Sequence, residues 1–519
     1  MAPLDIWHNK QKSLRGIFFA CVFALYAWTA GCGGVTGHLT SETPPSPTPN
    51  LTAADVTTLI QAAAQAADPN TMAIAVVDRA GNILAVYRKP AAPTLAMGNF
   101  GVQVDTNELA VSLARTAAFF SNDQAPLSSR TARFISGIHF PPGISGASNA
   151  ALYGIENTNR GCTLSTNFIA GQAVPPARSI SGATTGLGIT TGKADLNDSD
   201  PNAVNPGGVP LFRNGSVVGG IGVAGVAGDV AEFSAYAAAT SNGFGPAPAA
   251  PGVVIIGGVA LPFVNQTSRP ASVGAGSFTG SFVVGPVASP GPPPEHMLVM
   301  PTAGPRGGLT AADVAQIINN AIATANTTRA VIRLPIGSSA RMAIAVADLD
   351  GTIIGLYRMA DGTVFSIDVA ASKARNMVYF NSGARTAADL TEVPLGMAVT
   401  NRTIGFGAQP LYPPGIDGTT AGPFFNLYQQ DVANPCTQGF QGAGPNQSGI
   451  VFFPGSVPLY RSGMLVGGLG ISGDGVDQDD YVAAGGAAGF DAPAAIRADQ
   501  VFVRGVRLPY LKFPQNPTN

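Results

Sequence analysis

Two glycine-rich stretches and a few histidines, arginines and acids are the residues whose types could carry chemistry. Gly220-Ile-Gly222-Val-Ala-Gly225 and Gly468-Leu-Gly470-Ile-Ser-Gly473 both satisfy G-x-G-x-x-G, the spacing that lets backbone approach a pyrophosphate. A dinucleotide site needs that motif after the first strand of a βαβ unit, with an acid about twenty positions on. Here each motif lies late, inside an apolar run that reads as a hairpin strand, so the glycines are expected to bring strand and helix close together. Of the four histidines, His8 and His38 precede the folded part, leaving His139 and His296. His296 sits beside Met297 and near Met300, an imidazole and thioether arrangement that could ligate iron; its plainer reading is a hydrogen-bonded loop residue. With two usable histidines in non-equivalent loops and no G-x-S-x-G elbow, a hydrolytic triad has nothing to assemble from, and no enzyme is expected. Asp195-Leu-Asn-Asp-Ser-Asp200 resembles the start of a calcium loop but lacks its glycine and its closing glutamate, which leaves a solvated turn. The acidic cluster Asp477 to Asp480 is the one other enzymatic candidate.

The elements that must position these residues occur twice. Leu51-Thr-Ala-Ala-Asp-Val56 recurs as Leu309-Thr-Ala-Ala-Asp-Val314, each opening an Ala-rich helix with a Thr N-cap and an Asp three residues on. Met72 to Arg88 recurs as Met342 to Arg358, two short apolar runs joined by an Asp-x-x-Gly turn, which predicts a β-hairpin. Ser112 to Arg115 and Ser372 to Arg375 share Ser-x-Ala-Arg within helical stretches reaching Phe120 and Phe380. Val209 to Gly225 recurs as Val457 to Gly473, a second hairpin, and a last helix follows from Asp229 and from Asp477. Each copy therefore reads helix, hairpin, helix, long excursion, hairpin, helix, which is an α+β class with an antiparallel sheet. His139 aligns with Leu411, so the repeat does not retain it.

Composition bounds the setting. The 519 residues carry 45% hydrophobic but only 11% charged side chains, with 65 Gly and 42 Pro. A surface made polar by Ser, Thr, Asn and backbone suits an exported protein, and a net charge of −2 offers no basic footprint for nucleic acid. Lys10, Lys12 and Arg15 precede the apolar run Gly16 to Trp28, and Thr29-Ala-Gly-Cys32 ends it, so residues 1–32 read as a signal peptide. Small residues before Cys32 also fit lipoprotein processing, although Thr29 stands where that pattern prefers Leu; plain secretion is the alternative. Residues 33–50 then form a Pro/Thr-rich tether. Copy one spans 51–245, a Pro/Gly-rich linker 246–308, and copy two 309–512, with edge strands considered near Val253 to Phe263 and Ser277 to Val284.

These shared motifs, in this order, resemble the GlcG/HbpS family, which includes the C-terminal domain of PduO-type proteins. The resemblance rests on Ala73 to Asp78 with Gly81 and Arg88, Ser112 to Arg115 and Val209 to Gly225. In copy two it rests on Ala343 to Asp348 with Gly351, Arg358 and Met359, Ser372 to Arg375, and Val457 to Gly473 with Asp477-Gln-Asp479. It does not cover the excursions Ser121 to Pro206 and Ser382 to Pro454. It implies two tandem profilin-like domains, haem or a related tetrapyrrole as ligand, and oligomer formation. Copy two keeps the pattern better, since copy one has Leu113 and Val230-Ala231 where copy two has Lys373 and Gln478-Asp479. A ligand pocket is then expected between the sheet, the Ser-x-Ala-Arg helix and the glycine hairpin, lined by Gly222, Gly225, Gly470 and Gly473. Arg115 and Arg375 are the candidates to pair propionates, and His139 and His296 the candidate iron ligands. No Cys-x-x-Cys-His is present for covalent haem attachment.

The expected function is thus non-enzymatic ligand binding in the bacterial envelope, with membrane contact through a lipid on Cys32 alone. A structural or protein-interaction module is the alternative. With Cys21 in the signal and Cys32 lipidated, Cys162 and Cys436 remain, one in each excursion, and a disulfide between them is expected if equivalent loops of the copies meet.

Overall fold

The computed structural model describes residues 50–98, 103–158, 206–246, 253–434, 436–442 and 446–518. The signal and tether, Cys32, Cys162 and the Asp195 to Asp200 turn lie outside the described residues. Among those described, no helix is long and apolar enough to cross a membrane.

Copy one begins with α1 (Ala53–Ala66), where Thr52 and Asp55 cap each other reciprocally. The first hairpin, β1 (Ala73–Asp78) and β2 (Ile83–Arg88), turns at Gly81 with φ +83°. A small ribbon, β3 (Leu95–Met97) and β4 (Gln103–Asp105), leads into α2 (Thr106–Phe120), capped by Asp105. The excursion holds α3 (Ser129–Phe134). The second hairpin, β5 (Gly208–Arg213) and β6 (Ser216–Ala224), feeds α4 (Gly228–Ser241). Between the copies run β7 (Ile255–Ile256), β8 (Val259–Ala260), β9 (Ser281–Val284) and β10 (His296–Val299). Copy two repeats the order: α5 (Ala311–Thr327), β11 (Ala343–Ala347), β12 (Ile353–Arg358), α6 (Phe365–Asn381), then α7 (Asn401–Gly407) and α8 (Phe425–Ala433) in its excursion. It closes with β13 (Ser456–Arg461), β14 (Met464–Ser472), α9 (Val476–Gly486) and the ribbon β15 (Phe502–Val503) and β16 (Val506–Arg507).

Two five-stranded antiparallel sheets result, ordered β5-β6-β1-β2-β9 and β10-β12-β11-β14-β13, each flanked by helices. The α+β class and the two tandem domains are as the repeat predicts. The segment 246–308 is more than a linker: β9 pairs with β2 and β10 with β12, so it completes the outer edge of both sheets. Its first part is also a piece of the repeat. The Thr131 hydroxyl donates to the carbonyl of Pro262 at 2.6 Å and Ser128 to Phe263, while Thr403 donates to Pro509 at 2.7 Å and Thr400 to Tyr510 at 2.5 Å. Gly258-Val-Ala-Leu-Pro-Phe263 and Gly505-Val-Arg-Leu-Pro-Tyr510 therefore dock alike, each on the capped start of its excursion helix.

On one face of each sheet, α1 with α4, or α5 with α9, buries its apolar stripe over Ile74, Val76 and Ile221, or over Ile344, Val346 and Leu469. On the other face α2 and α6 share one core that runs across both copies. There the Phe120 and Phe365 rings stack at 4.2 Å between centroids, and the Val364 amide donates to the Phe119 carbonyl at 3.1 Å.

An ionic network closes the same junction. Asp361, held at φ +57°, accepts from Arg79 of copy one at 2.5 Å and from Arg333 of copy two at 2.6 Å. Arg79 also reaches Asp123 at 3.1 Å, and Arg333 pairs with the fully enclosed Asp474. Burial would raise the Asp361 carboxyl, but Arg79 and Arg333 together hold it down at about 2.

Candidate functional site

The Ser-x-Ala-Arg arginines lie inside the fold. Arg115 and Arg375 are buried, and each donates through Nε to the carbonyl of the hairpin-turn glycine, Gly81 or Gly351, at 2.9 Å. Burial pushes the Arg375 guanidinium down to about 10. In both copies the side chain braces the first hairpin from beneath, a geometry built on the turn rather than on an open face.

The pocket expected between helix and glycine hairpin is filled. A Cβ on Gly222 would collide with the Ala110 carbonyl and stand 2.6 Å from the Ala114 amide nitrogen; on Gly470 it would collide with the Ala370 carbonyl and stand 2.6 Å from Ala374. Helix backbone lies directly on strand backbone, so these glycines serve close packing, the structural reading of the motif. Gly225, at φ +82°, follows the last residue of β6, and a Cβ on Gly473 would strike Met342. A small cavity of about 30 Å³ beside Val457, Ala484, Arg497 and Tyr510 is room for a water or two and not for a macrocycle.

The two histidines stand on separate elements. His139 Nε2 lies 3.2 Å from Asp417 of copy two, whose other oxygen accepts the Gly146 amide at 2.6 Å, so the Pro-Pro-Gly-Ile loops of the two copies do meet. His296 opens the edge strand β10 at φ +65°, half-buried, with Nδ1 3.0 Å from the Tyr357 hydroxyl. Among the described residues Nε2 of His296 takes no partner, and Met300 nearby is 63% exposed. Tyr357 was not legible as a partner because the pairing of β10 with β12 depends on a strand from between the repeats. Among the described residues no cluster of three or more His, Cys, Asp or Glu could hold a metal ion.

Beneath α9 the copies differ. Arg402 pairs with Asp477 at 2.6 Å and with Asp480, as Arg130 pairs with Glu232 at 2.6 Å in copy one. Beside that shared pair, copy two alone buries Lys373 against Asp479 at 3.1 Å. The repeated Arg-Thr of the excursion helices, Arg130-Thr131 and Arg402-Thr403, was the signal for the shared pair.

Cys436 is disulfide-bonded. Its backbone nitrogen and the Asn157 carbonyl both lie beside Gly449, 3.8 and 3.7 Å from where a Cβ there would stand. Cys162 is only five positions beyond Asn157, well within reach at about 3.3–3.6 Å per residue. Cys162 is therefore the expected partner: a non-reducing digest should yield one peptide pair joining Cys162 to Cys436, and Cys162→Ser should free one alkylatable thiol at Cys436. A Cys436 peptide linked to Cys21 or Cys32 would refute it.

No curated protein matches the chain. Among solved structures, the PduOC:heme complex is similar at 20% identity, TM-score 0.23, over 35% of this chain and 94% of that one. Klebsiella pneumoniae protein ORFY is similar at 19% identity, TM-score 0.22, over 34% of this chain and 88% of that one. The family described as "Haem degrading protein HbpS-like" matches residues 51–240 and again 309–488. Those regions take in most of the chain and coincide with the two structural copies, so this protein belongs to the HbpS-like family, in two tandem copies.

Proposed function

We propose that this chain is an exported envelope protein that binds haem or a related tetrapyrrole without turning it over, and that His296 is its axial ligand. The observation that carries the assignment is the His296 geometry: a half-buried imidazole at a sheet edge, oriented through Nδ1 by Tyr357, with Nε2 left for a ligand. Such a partner on the second nitrogen is how metal-binding histidines are commonly held. The family's haem description supports the ligand class. Haemin titration should give a Soret shift saturating at one equivalent, and His296→Ala should weaken binding at least about tenfold, the loss of one bond worth about 1.4 kcal/mol or more. His139→Ala should leave it unchanged. No spectral change in the wild type favours the interaction module; decay of the bound Soret band with a reductant present overturns the non-enzymatic assignment.

The anchor is tested separately. Cys32→Ser is expected to move the protein from the membrane fraction to the soluble one with its thermal transition unaltered, since a proline-rich tether separates the cysteine from the folded copies. Unchanged membrane association sinks the lipid assignment.

A further inference from the structure

The two copies provide an internal comparison at one buried position. In copy one, the space over Gly207 is bordered by Ala231 and the Leu113 side chain; in copy two, the space over the equivalent Gly455 is bordered by Asp479 and the Lys373 ammonium. The same helices and strands thus close over an apolar pair in one copy and an ion pair in the other. The fold does not need the ions, and an enclosed ion pair is often no more stable than apolar side chains of similar volume. Lys373 Nζ donates to the Ile471 carbonyl at 2.7 Å and to Asp479 Oδ2 at 3.1 Å, and lies 4.9 Å from the centre of the Phe453 ring. The other oxygen, Asp479 Oδ1, is fully enclosed and has no hydrogen-bond partner among the described residues.

A carboxylate with one oxygen satisfied and the other buried bare is short of one hydrogen. We propose that Lys373 and Asp479 form a proton-binding site that copy one lacks, in which Asp479 Oδ1 takes up and releases a single proton while Lys373 holds Oδ2 in place. The surrounding charges favour protonation of this group over its neighbour. From α9 itself, Asp480 and Asp477 are both engaged by Arg402 of α7, and Lys512 of the C-terminal segment reaches Asp477 at 2.8 Å. Asp474, before α9, is paired with Arg333. Asp479 has only Lys373, and burial, with Asp480 and Asp474 adding negative charge, pushes its carboxyl up to about 7 against the pull of Lys373. A raised carboxyl stabilises the fold fully below the unfolded value near 4, and that stability is lost as pH rises through about 7.

The test transplants copy one's pair into copy two. Lys373→Leu/Asp479→Ala should fold, melt at or above the wild type at about pH 8, and lose several degrees of the fall in Tm that the wild type shows between about pH 5 and pH 8. Infrared difference spectra across the same range should show a protonated-carboxyl band in the wild type that is missing in Asp479→Asn. Asp480 and Asp474 interact with Asp479, so their own titration shifts slightly in the double variant; the carboxyl band lost in Asp479→Asn is the readout that reports this site alone. An unaltered pH dependence of Tm in the double variant, or an unaltered carboxyl band in Asp479→Asn, overturns the proposal.

Discussion

Asp361→Ala is expected to cost about 3–5 kcal/mol, because it strips the shared carboxylate from two guanidiniums that the junction keeps out of water. Arg333 is almost wholly buried, and Arg79 nearly so, at side-chain exposures of 1% and 6%. Asp361 also accepts the Asp123 amide through both oxygens at 3.1 Å, so the loss reaches the chain immediately beyond α2. Asn at this position keeps the volume but not the charge, and should recover less than half of the cost. Since Arg79 and Asp123 belong to copy one and Asp361 and Arg333 to copy two, the variant should also broaden urea unfolding or split it into two steps. The pH dependence follows from the same carboxyl. Its folded value of about 2 lies below the unfolded value near 4, so its stabilisation is present above pH 4 and lost as pH falls through about 2. Asp123 and Asp474 are pushed the other way by burial, which confines the acid loss to the range below about pH 4. A two-state transition within about 1 kcal/mol of wild type would remove the network from any role in holding the copies together.

None of that network could be read from the sequence, and the reason is physical. Helices and hairpins announce themselves locally, through the Thr52 and Thr310 caps, the Asp-x-x-Gly turns and the alternation of apolar residues. The repeat then fixes their order twice over, which made the antiparallel sheets legible. Arg79 is different: its equivalent in copy two is Leu349, and its partner Asp361 lies 282 positions away, so no spacing marks the pair. The edge strands were half legible for a similar reason. Ser281 to Val284 is β-prone, but that it lies on β2 while His296 to Val299 lies on β12 is a matter of chain tracing between two sheets. The candidate site was legible only in its packing reading, in which the motif glycines bring strand and helix together. Arginine on a helix and glycine in a hairpin suggested a pocket wall; each arginine donates to a turn carbonyl, Gly222 and Gly470 lie on helix backbone, and Gly225 and Gly473 lie against Thr71 and Met342 just before the first hairpin.

Gly470→Ala is expected to be among the most damaging single-methyl changes in the protein, and Gly222→Ala its counterpart in copy one. The added carbon has no flexible side chain to push aside. It meets the Ala370 carbonyl, the Ala374 amide nitrogen and the Lys373 Cβ, the last at 2.9 Å, all on one turn of α6. Relief requires α6 to move away from β14, and α6 also carries Arg375 beneath the first hairpin and the junction phenylalanine Phe365. Overpacking of a close-packed layer costs about 1–3 kcal/mol where side chains can yield and more where backbone must; a loss above about 3 kcal/mol is therefore expected. Gly463→Ala provides the control. That glycine sits in the β13–β14 turn at φ +79° with open space around it, so it bears only the strain of a positive φ, about 1 kcal/mol. The contrast also separates the two readings of G-x-G-x-x-G. If the glycines serve packing, Gly470→Ala lowers the unfolding midpoint while haemin affinity per folded molecule stays within about twofold; if they line a ligand site, the order reverses, with affinity lost and the midpoint held.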